Sequence, residues 1–221
     1  MSPKAILFDA YGTLFDVHSV IVNAAADLSG DLSALSQLWR RTQLELTWRY
    51  ALMERYQDFF VLTERALRLS LYDLSIPATE AQIEKLTHSY FTPNVFPDVR
   101  QALDEPGARP LGILSNGSPA MLAAAVRTAG LESRLTHVIS ADSVRTYKPS
   151  PRVYALGPAA LNLAPAEILF VSSNLWDAEG ARAFGYSVCW CNREPVQSAL
   201  ILFAPNLTVT ALDQIPRLLT T

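Results

Sequence analysis

Short runs of consecutive apolar residues, each ending in polar ones, limit what this chain can fold into. Ala5-Ile6-Leu7-Phe8 runs without polar alternation and stops at Asp9. Such a run fits a strand buried on both faces, as in the middle of a parallel sheet. Leu111 to Ser115, His137 to Ser140, Ile168 to Ser172 and Tyr186 to Trp190 read the same way, with Leu207 to Thr210 as an edge strand. Helical stretches fall between them: Pro119 to Thr128, stopped at Gly130, then Pro151 to Leu161 with proline in the tolerated first turn, then Ala178 to Phe184. This alternation predicts an α/β fold with a doubly wound parallel sheet.

One segment breaks the alternation. From Val17 to Tyr90 the apolar residues follow a helical period. Ser33 to Arg55 carries Leu35, Leu38, Trp39, Leu44, Leu46, Trp48 and Leu52 as one stripe, and Phe59 to Leu74 carries Val61, Leu62, Ala66, Leu67 and Leu71. Thr79 and Gln82 have the spacing of a capping box. This helical block follows the first strand, so it emerges at the carboxyl edge of the sheet, where open α/β sheets bind ligands. It is expected to cap that edge.

Half of the 221 residues are apolar, 18% are charged, and the formal net charge is -3. This suits a globular core and gives no basic surplus for nucleic acid. An anionic substrate would need local cations, because the whole-protein field will not draw it in. No stretch has the length of a membrane span or a secretory h-region, so no membrane partner and a cytoplasmic location are expected. Cys189 and Cys191, spaced i, i+2 on a strand, read as buried thiols, and His18, His88 and His137 lack ligand spacing.

Polar clusters follow the strands: Asp9-Ala10-Tyr11-Gly12-Thr13, Ser115-Asn116-Gly117, and Ser172-Ser173-Asn174-Leu175-Trp176-Asp177, with Tyr147-Lys148-Pro149 in a later connection. Each alone reads as a turn or a helix cap. Together at one sheet edge, two carboxylates, a lysine, hydroxyls and amides form a site constellation.

Phe8-Asp9-Ala10-Tyr11-Gly12-Thr13-Leu14 resembles the first motif of the haloacid dehalogenase superfamily, and the other three clusters resemble its remaining motifs in order and spacing. Most members are magnesium-dependent phosphatases with a second Asp two positions after the nucleophile; Tyr11 stands there in this chain. The L-2-haloacid dehalogenases have Tyr at that position and an arginine within Leu-Trp-Arg of the cap, here Leu38-Trp39-Arg40. Gln43-Leu44-Glu45, Thr47-Trp48 and Asn174-Leu175-Trp176-Asp177 are similar to that subfamily as well. The resemblance implies a Rossmann-like parallel-sheet core of residues 1–15 and 94–221 with an inserted all-α cap of residues 16–93.

It also implies a chemistry. Asp9 would displace the halide from a small (S)-2-haloacid, and water would then open the resulting ester to give an (R)-2-hydroxy acid. Thr13 would position Asp9, and Lys148 would keep it ionised. Arg40, Asn116 and Trp176 would receive the halide. Ser115 and the backbone N–H groups of Ala10 and Tyr11 would hold the substrate carboxylate, and Asp177, with Ser172 and Asn174, would handle the hydrolytic water. Leu44 and Phe59 would line the pocket, and Tyr154 is placed with the substrate-binding residues. No metal or other cofactor is implied. The partners are the haloacid anion, water and halide, and a homodimer is expected.

Arg40 on charge placement alone would face solvent, and Tyr11 and Trp176 read equally as core aromatics. Arg41 replaces a usual glutamine and Leu46 a usual tyrosine, both expected near the pocket mouth. The competing readings are a magnesium-dependent phosphatase, which Tyr11 opposes, and a non-catalytic scaffold, which the presence of Asp9, Lys148 and Asp177 together opposes. A Ser-His-Asp hydrolase lacks its Gly-x-Ser-x-Gly elbow.

Overall fold

A computed structural model describes residues 3–25, 27–104, 109–193 and 200–219. Strand β1 (Ala5–Phe8) is followed by β2 (Phe15–Asp16) and helices α1 (Ser19–Ala24), α2 (Leu32–Leu52), α3 (Phe59–Asp73) and α4 (Glu80–His88). Then come β3 (Asn94–Val95), α5 (Val99–Asp104), β4 (Leu111–Ser115), α6 (Pro119–Ala129) and β5 (His137–Ser140). The chain continues through α7 (Pro151–Tyr154), α8 (Leu156–Leu161), β6 (Ile168–Ser172), α9 (Leu175–Phe184), β7 (Ser187–Cys191), β8 (Leu207–Val209) and α10 (Ile215–Leu219).

Six strands form one parallel sheet in the order β5-β4-β1-β6-β7-β8. The first strand lies inside it, and all four of its residues are buried, which accounts for their unbroken apolar character. Phe8 registers with Ile113 on one side and Val171 on the other. Asp9 therefore leaves the sheet beside the ends of β4 and β6, and three of the four polar clusters meet there.

The helical block is confirmed, but its faces differ in detail from the sequence stripes. In α2 the buried positions are Leu35, Trp39, Gln43, Leu46 and Thr47, a helical face that includes two polar residues. Leu52 and Val61, counted in the stripes, are exposed. Both helices start on aspartates: Asp31 accepts from the Ala34 N–H, and Asp58 from the Phe60 N–H. The Thr79–Gln82 capping box starts α4. Trp39 joins α2 to α3: its ring is buried, and its indole N–H donates to the Thr63 carbonyl at 2.8 Å. Burial of such a side chain stabilises by roughly 3 kcal/mol.

An antiparallel pair, Phe15–Val95 and Asp16–Asn94, ties together the two crossings between the sheet and the helices. These two-residue strands are too short for any period to reveal. Pro151 to Leu161 is two helices, and Asn162 ends the second in the left-handed conformation. Cys189 and Cys191 are free, buried thiols.

Candidate active site

Asp9 stands at the carboxyl end of β1, buried, with both oxygens engaged. The Lys148 ammonium lies 3.1 Å from Oδ1. Oδ2 accepts from Asn174 Nδ2 at 2.9 Å and from Thr13 Oγ1 at 3.3 Å. The Ser173 N–H donates to Thr13 Oγ1 at 2.8 Å, so the loop after β6 fixes the hydroxyl that fixes the carboxylate. Gly12 makes the intervening turn at φ +94°, which a side chain would strain.

Lys148 also donates to Asp177 Oδ2 at 2.9 Å, and both side chains are shut off from solvent. An ammonium is buried this completely only when it is paired and hydrogen-bonded. Burial pushes the Asp177 carboxyl above the ordinary range and the neighbouring Asp9 charge adds to this, while Lys148 pulls it back. Tyr154 donates to Asp177 Oδ1 at 2.7 Å. Burial, then the Asp177 charge, holds the Tyr154 phenol well above its usual range.

Asn116 Oδ1 accepts from the Lys148 backbone N–H at 2.9 Å, so its NH₂ group is the end left to face elsewhere. Two serines cap the turns after their strands: Ser115 Oγ accepts from the Gly117 N–H and Ser172 Oγ from the Asn174 N–H, each at 3.1 Å. Neither the Ala10 nor the Tyr11 N–H makes a backbone hydrogen bond among the described residues.

Arg40 reaches across from α2. It is half-buried and turned towards the sheet: Nη2 donates to the Tyr11 carbonyl at 3.0 Å and Nη1 to Gln43 Oε1 at 2.8 Å. The solvent-facing alternative for Arg40 is not adopted. Tyr11 donates its hydroxyl to the Tyr90 carbonyl and stacks on Phe59, with ring centroids 6.2 Å apart. Trp176 meets Trp48 edge to face at 5.4 Å.

A small cavity of about 10 Å³ lies among these groups. Its polar wall is Asp9, Arg40, Ser115 and Asn116, and its apolar wall is Tyr11, Leu44, Phe59 and Trp176. That volume is about one water molecule. A larger open groove of about 1130 Å³ runs beside it and shares Arg40. The groove is wider, but Asp9 lines the small cavity and not the groove.

Some expectations need correction. Tyr154 does not line the cavity; it sits fully buried behind Asp177. Arg41 is exposed, Leu46 is packed in the core, and neither is at the cavity, because each is rotated off the face of α2 that carries Arg40 and Leu44. Two residues were missed as parts of the site. Gln43 is fully buried and braces Arg40, and Thr63 braces Gln43. The available signal was a glutamine two helical turns after Leu35 on a buried face of α2 whose other polar residue is Thr47.

Comparison with known proteins agrees with this geometry. A family model described as haloacid dehalogenase-like hydrolase matches residues 3–185. The chain is 42% identical over 219 residues to haloacetate dehalogenase H-2 of Moraxella sp. (strain B), covering 98% of this chain and 97% of that one. It is 43% identical over 220 residues to the (S)-2-haloacid dehalogenase of Pseudomonas sp. (strain YL), covering 99% and 95%. The structure of L-2-haloacid dehalogenase from Xanthobacter autotrophicus with chloropropionic acid covalently bound superposes with TM-score 0.90 at 38% identity, covering 99% of this chain and 98% of that one. The chain belongs to the haloacid dehalogenase-like hydrolases and, within them, to the L-2-haloacid dehalogenases.

Proposed function

We propose that this chain hydrolyses the carbon–halogen bond of small (S)-2-haloacids to (R)-2-hydroxy acids through an ester on Asp9. The observation that carries the reading is Asp9 itself. It is a buried carboxylate held from behind by Lys148, Asn174 and Thr13, and it faces a small cavity with an apolar wall. Its burial leaves the carboxylate less solvated than in bulk, and its bonds fix its direction of attack.

In the first step an Asp9 oxygen bonds to the halogen-bearing carbon and the halide departs with the bonding electrons. Arg40, the free amide NH₂ of Asn116 and the edge of Trp176 receive it. Ser115 and the Ala10 and Tyr11 N–H groups hold the substrate carboxylate. In the second step water adds to the ester carbonyl, and the alkoxide leaves as the hydroxy acid. Asp177, set by Lys148 and Tyr154, with Asn174 and Ser172 alongside, directs that water and its proton. Asp9 is regenerated, with one halide and one proton released per turnover. In this reading the reaction needs no metal ion.

Residues 16–93 act as the cap, and residues 1–15 with 94–221 as the core. Support comes from α1 to α4 lying between the two halves of the β2–β3 pair, and from Arg40, Leu44 and Phe59 reaching the cavity from that segment. The reading extends to a cytoplasmic homodimer. No described helix is long and apolar enough to cross a membrane. Sedimentation equilibrium reads the assembly.

Tyr11 argues against the phosphatase alternative. Its hydroxyl is spent on the Tyr90 carbonyl, and burial holds its proton more tightly than usual, so it is a poor acid.

The deciding experiment measures halide release from S- and R-2-chloropropionate, with and without chelator, beside a generic phosphate ester. Chelator-resistant release from the S form alone is expected. Magnesium-dependent phosphate release without halide release would replace this reading with the phosphatase. Fractionation of cells expressing the chain tests its location.

A further inference from the structure

The Arg40 guanidinium is braced from two sides, and both braces are uncharged: the Gln43 side-chain carbonyl and the Tyr11 backbone carbonyl. Arg40 makes no salt bridge with a described residue. Beneath it, Gln43 Nε2 donates to Thr63 Oγ1 at 2.6 Å, and Thr63 Oγ1 donates to the Phe59 carbonyl at 2.7 Å. Gln43 and Thr63 are both fully buried.

The proton count fixes this chain. A backbone carbonyl only accepts, so the single Thr63 proton goes to Phe59. The Thr63 oxygen must then accept, so the Gln43 NH₂ points to Thr63 and the Gln43 carbonyl points to Arg40. Thr63 thereby orients the amide that orients the arginine.

We propose that Gln43 is a positioning residue for Arg40, selected to hold the guanidinium without neutralising it. This rests on the dehalogenase reading, in which Arg40 receives the departing halide. A glutamate at position 43 would supply the same acceptor at the same reach. It would also place a negative charge against the guanidinium, in a buried setting where charges are weakly screened. The field offered to a departing anion would collapse, while the tether would hold once Thr63 turned its single proton from the Phe59 carbonyl to the second glutamate oxygen.

Charge and structure predict opposite orders for two variants. Bromide binding is measured by calorimetry, and kcat and KM for S-2-chloropropionate and S-2-bromopropionate by halide release, on wild type, Gln43→Glu, Gln43→Met and Thr63→Val. Thermal melting checks folding. If the neutral tether matters, Gln43→Glu weakens bromide binding by about tenfold or more, a factor worth ~1.4 kcal/mol. It also lowers kcat more for the chloro than for the bromo acid. Gln43→Met, which keeps the arginine charge uncancelled, loses less. Thr63→Val, which frees the amide to flip, weakens bromide binding while leaving Gln43 in place. A merely structural glutamine predicts the reverse, with the isosteric Glu outperforming Met; that order, or unchanged bromide affinity in Gln43→Glu, overturns the inference. A wild type that binds bromide but releases no halide defeats the dehalogenase reading and leaves the tether standing or falling on the bromide data alone.

Discussion

The Tyr154 hydroxyl donates a 2.7 Å hydrogen bond to Asp177 Oδ1, and Tyr154 itself does not line the cavity. The Asp177 carboxylate is thus clamped between a phenol and the Lys148 ammonium, and nothing solvates it except protein. The phenol fits because residue 180 is glycine: a Cβ there would come within 2.5 Å of the Tyr154 oxygen.

Tyr154→Phe removes one donor to a buried carboxylate. A stability loss of ~1–3 kcal/mol is expected from the unsatisfied acceptor. Turnover should fall with little change in KM, because Tyr154 touches Asp177 and not the cavity. Denaturant melts with steady-state halide release check both; an unchanged kcat would show that Asp177 needs no second brace.

Asp9→Asn should lower halide release by at least about a thousandfold, or ~4 kcal/mol of barrier. A mass measurement on the assayed protein excludes deamidation back to Asp. Wild type in ¹⁸O-water should place an unlabelled oxygen in the first-turnover product, since that oxygen comes from Asp9. Label in the first-turnover product would mean that water attacks the substrate directly.

Lys148→Met leaves Asp9 and Asp177 without their shared cation. Breaking a buried pair in this way costs ~3–5 kcal/mol. The loss should shrink on acidification, as the stranded carboxylates take up protons. Melting temperatures of the variant and wild type across pH 5 to 8 read this directly; a pH-independent gap would contradict it.

The raised Asp177 titration has two consequences, and its sign is opposite to that of a simple salt-bridged aspartate. The native state holds this proton more tightly than the unfolded chain does, so the Asp177 contribution favours folding at low pH and is lost as pH rises through the native titration. The Asp177→Asn variant should therefore gain stability relative to wild type as pH rises across that range. Activity runs the other way, because the water-directing role needs the ionised form. The acid limb of kcat should lie above the ordinary aspartate range near ~3.9, as a property of the coupled Asp9–Lys148–Asp177 group. An acid limb at the ordinary aspartate value would remove Asp177 from the ionised role.

Leu44→Ala enlarges the apolar wall of the cavity. The ratio of kcat/KM for 2-chlorobutyrate over 2-chloropropionate should rise by about tenfold, as one methylene in a pocket is worth ~1–3 kcal/mol. An unchanged ratio would place the substrate's alkyl group against Phe59 or Trp176 instead.

Much of this molecule was legible before any coordinates. The runs at Ala5–Phe8, Leu111–Ser115 and Ile168–Ser172 are strands with the predicted limits, because a strand buried on both faces stays apolar until its carboxyl end, where Ser115 and Ser172 close two of them. Parallel register then obliges the residues after those strands to meet, so Asp9, Ser115, Asn116 and the Asn174 loop were bound to share one edge. The Thr79–Gln82 box and the Gly130 stop were readable because caps are local.

Only the tertiary structure decided the rest, and in each case the missing information was a rotation or a depth. The rotation of α2 is set by how Trp39 packs beneath α3, and that rotation turns Arg40 inward, leaves Arg41 in solvent and buries Gln43. The depth of Tyr154 is set by Gly180, far along the chain, which is why it braces Asp177 and does not touch substrate. Lys148 follows the same rule. In sequence it is a lysine before a proline, and it is a buried cation only because the fold brings two distant carboxylates, one just after β1 and one in α9, within 3.1 Å of its nitrogen. Local sequence fixes which residues end a strand or start a helix, whereas the partner that makes a buried charge tolerable comes from elsewhere in the chain.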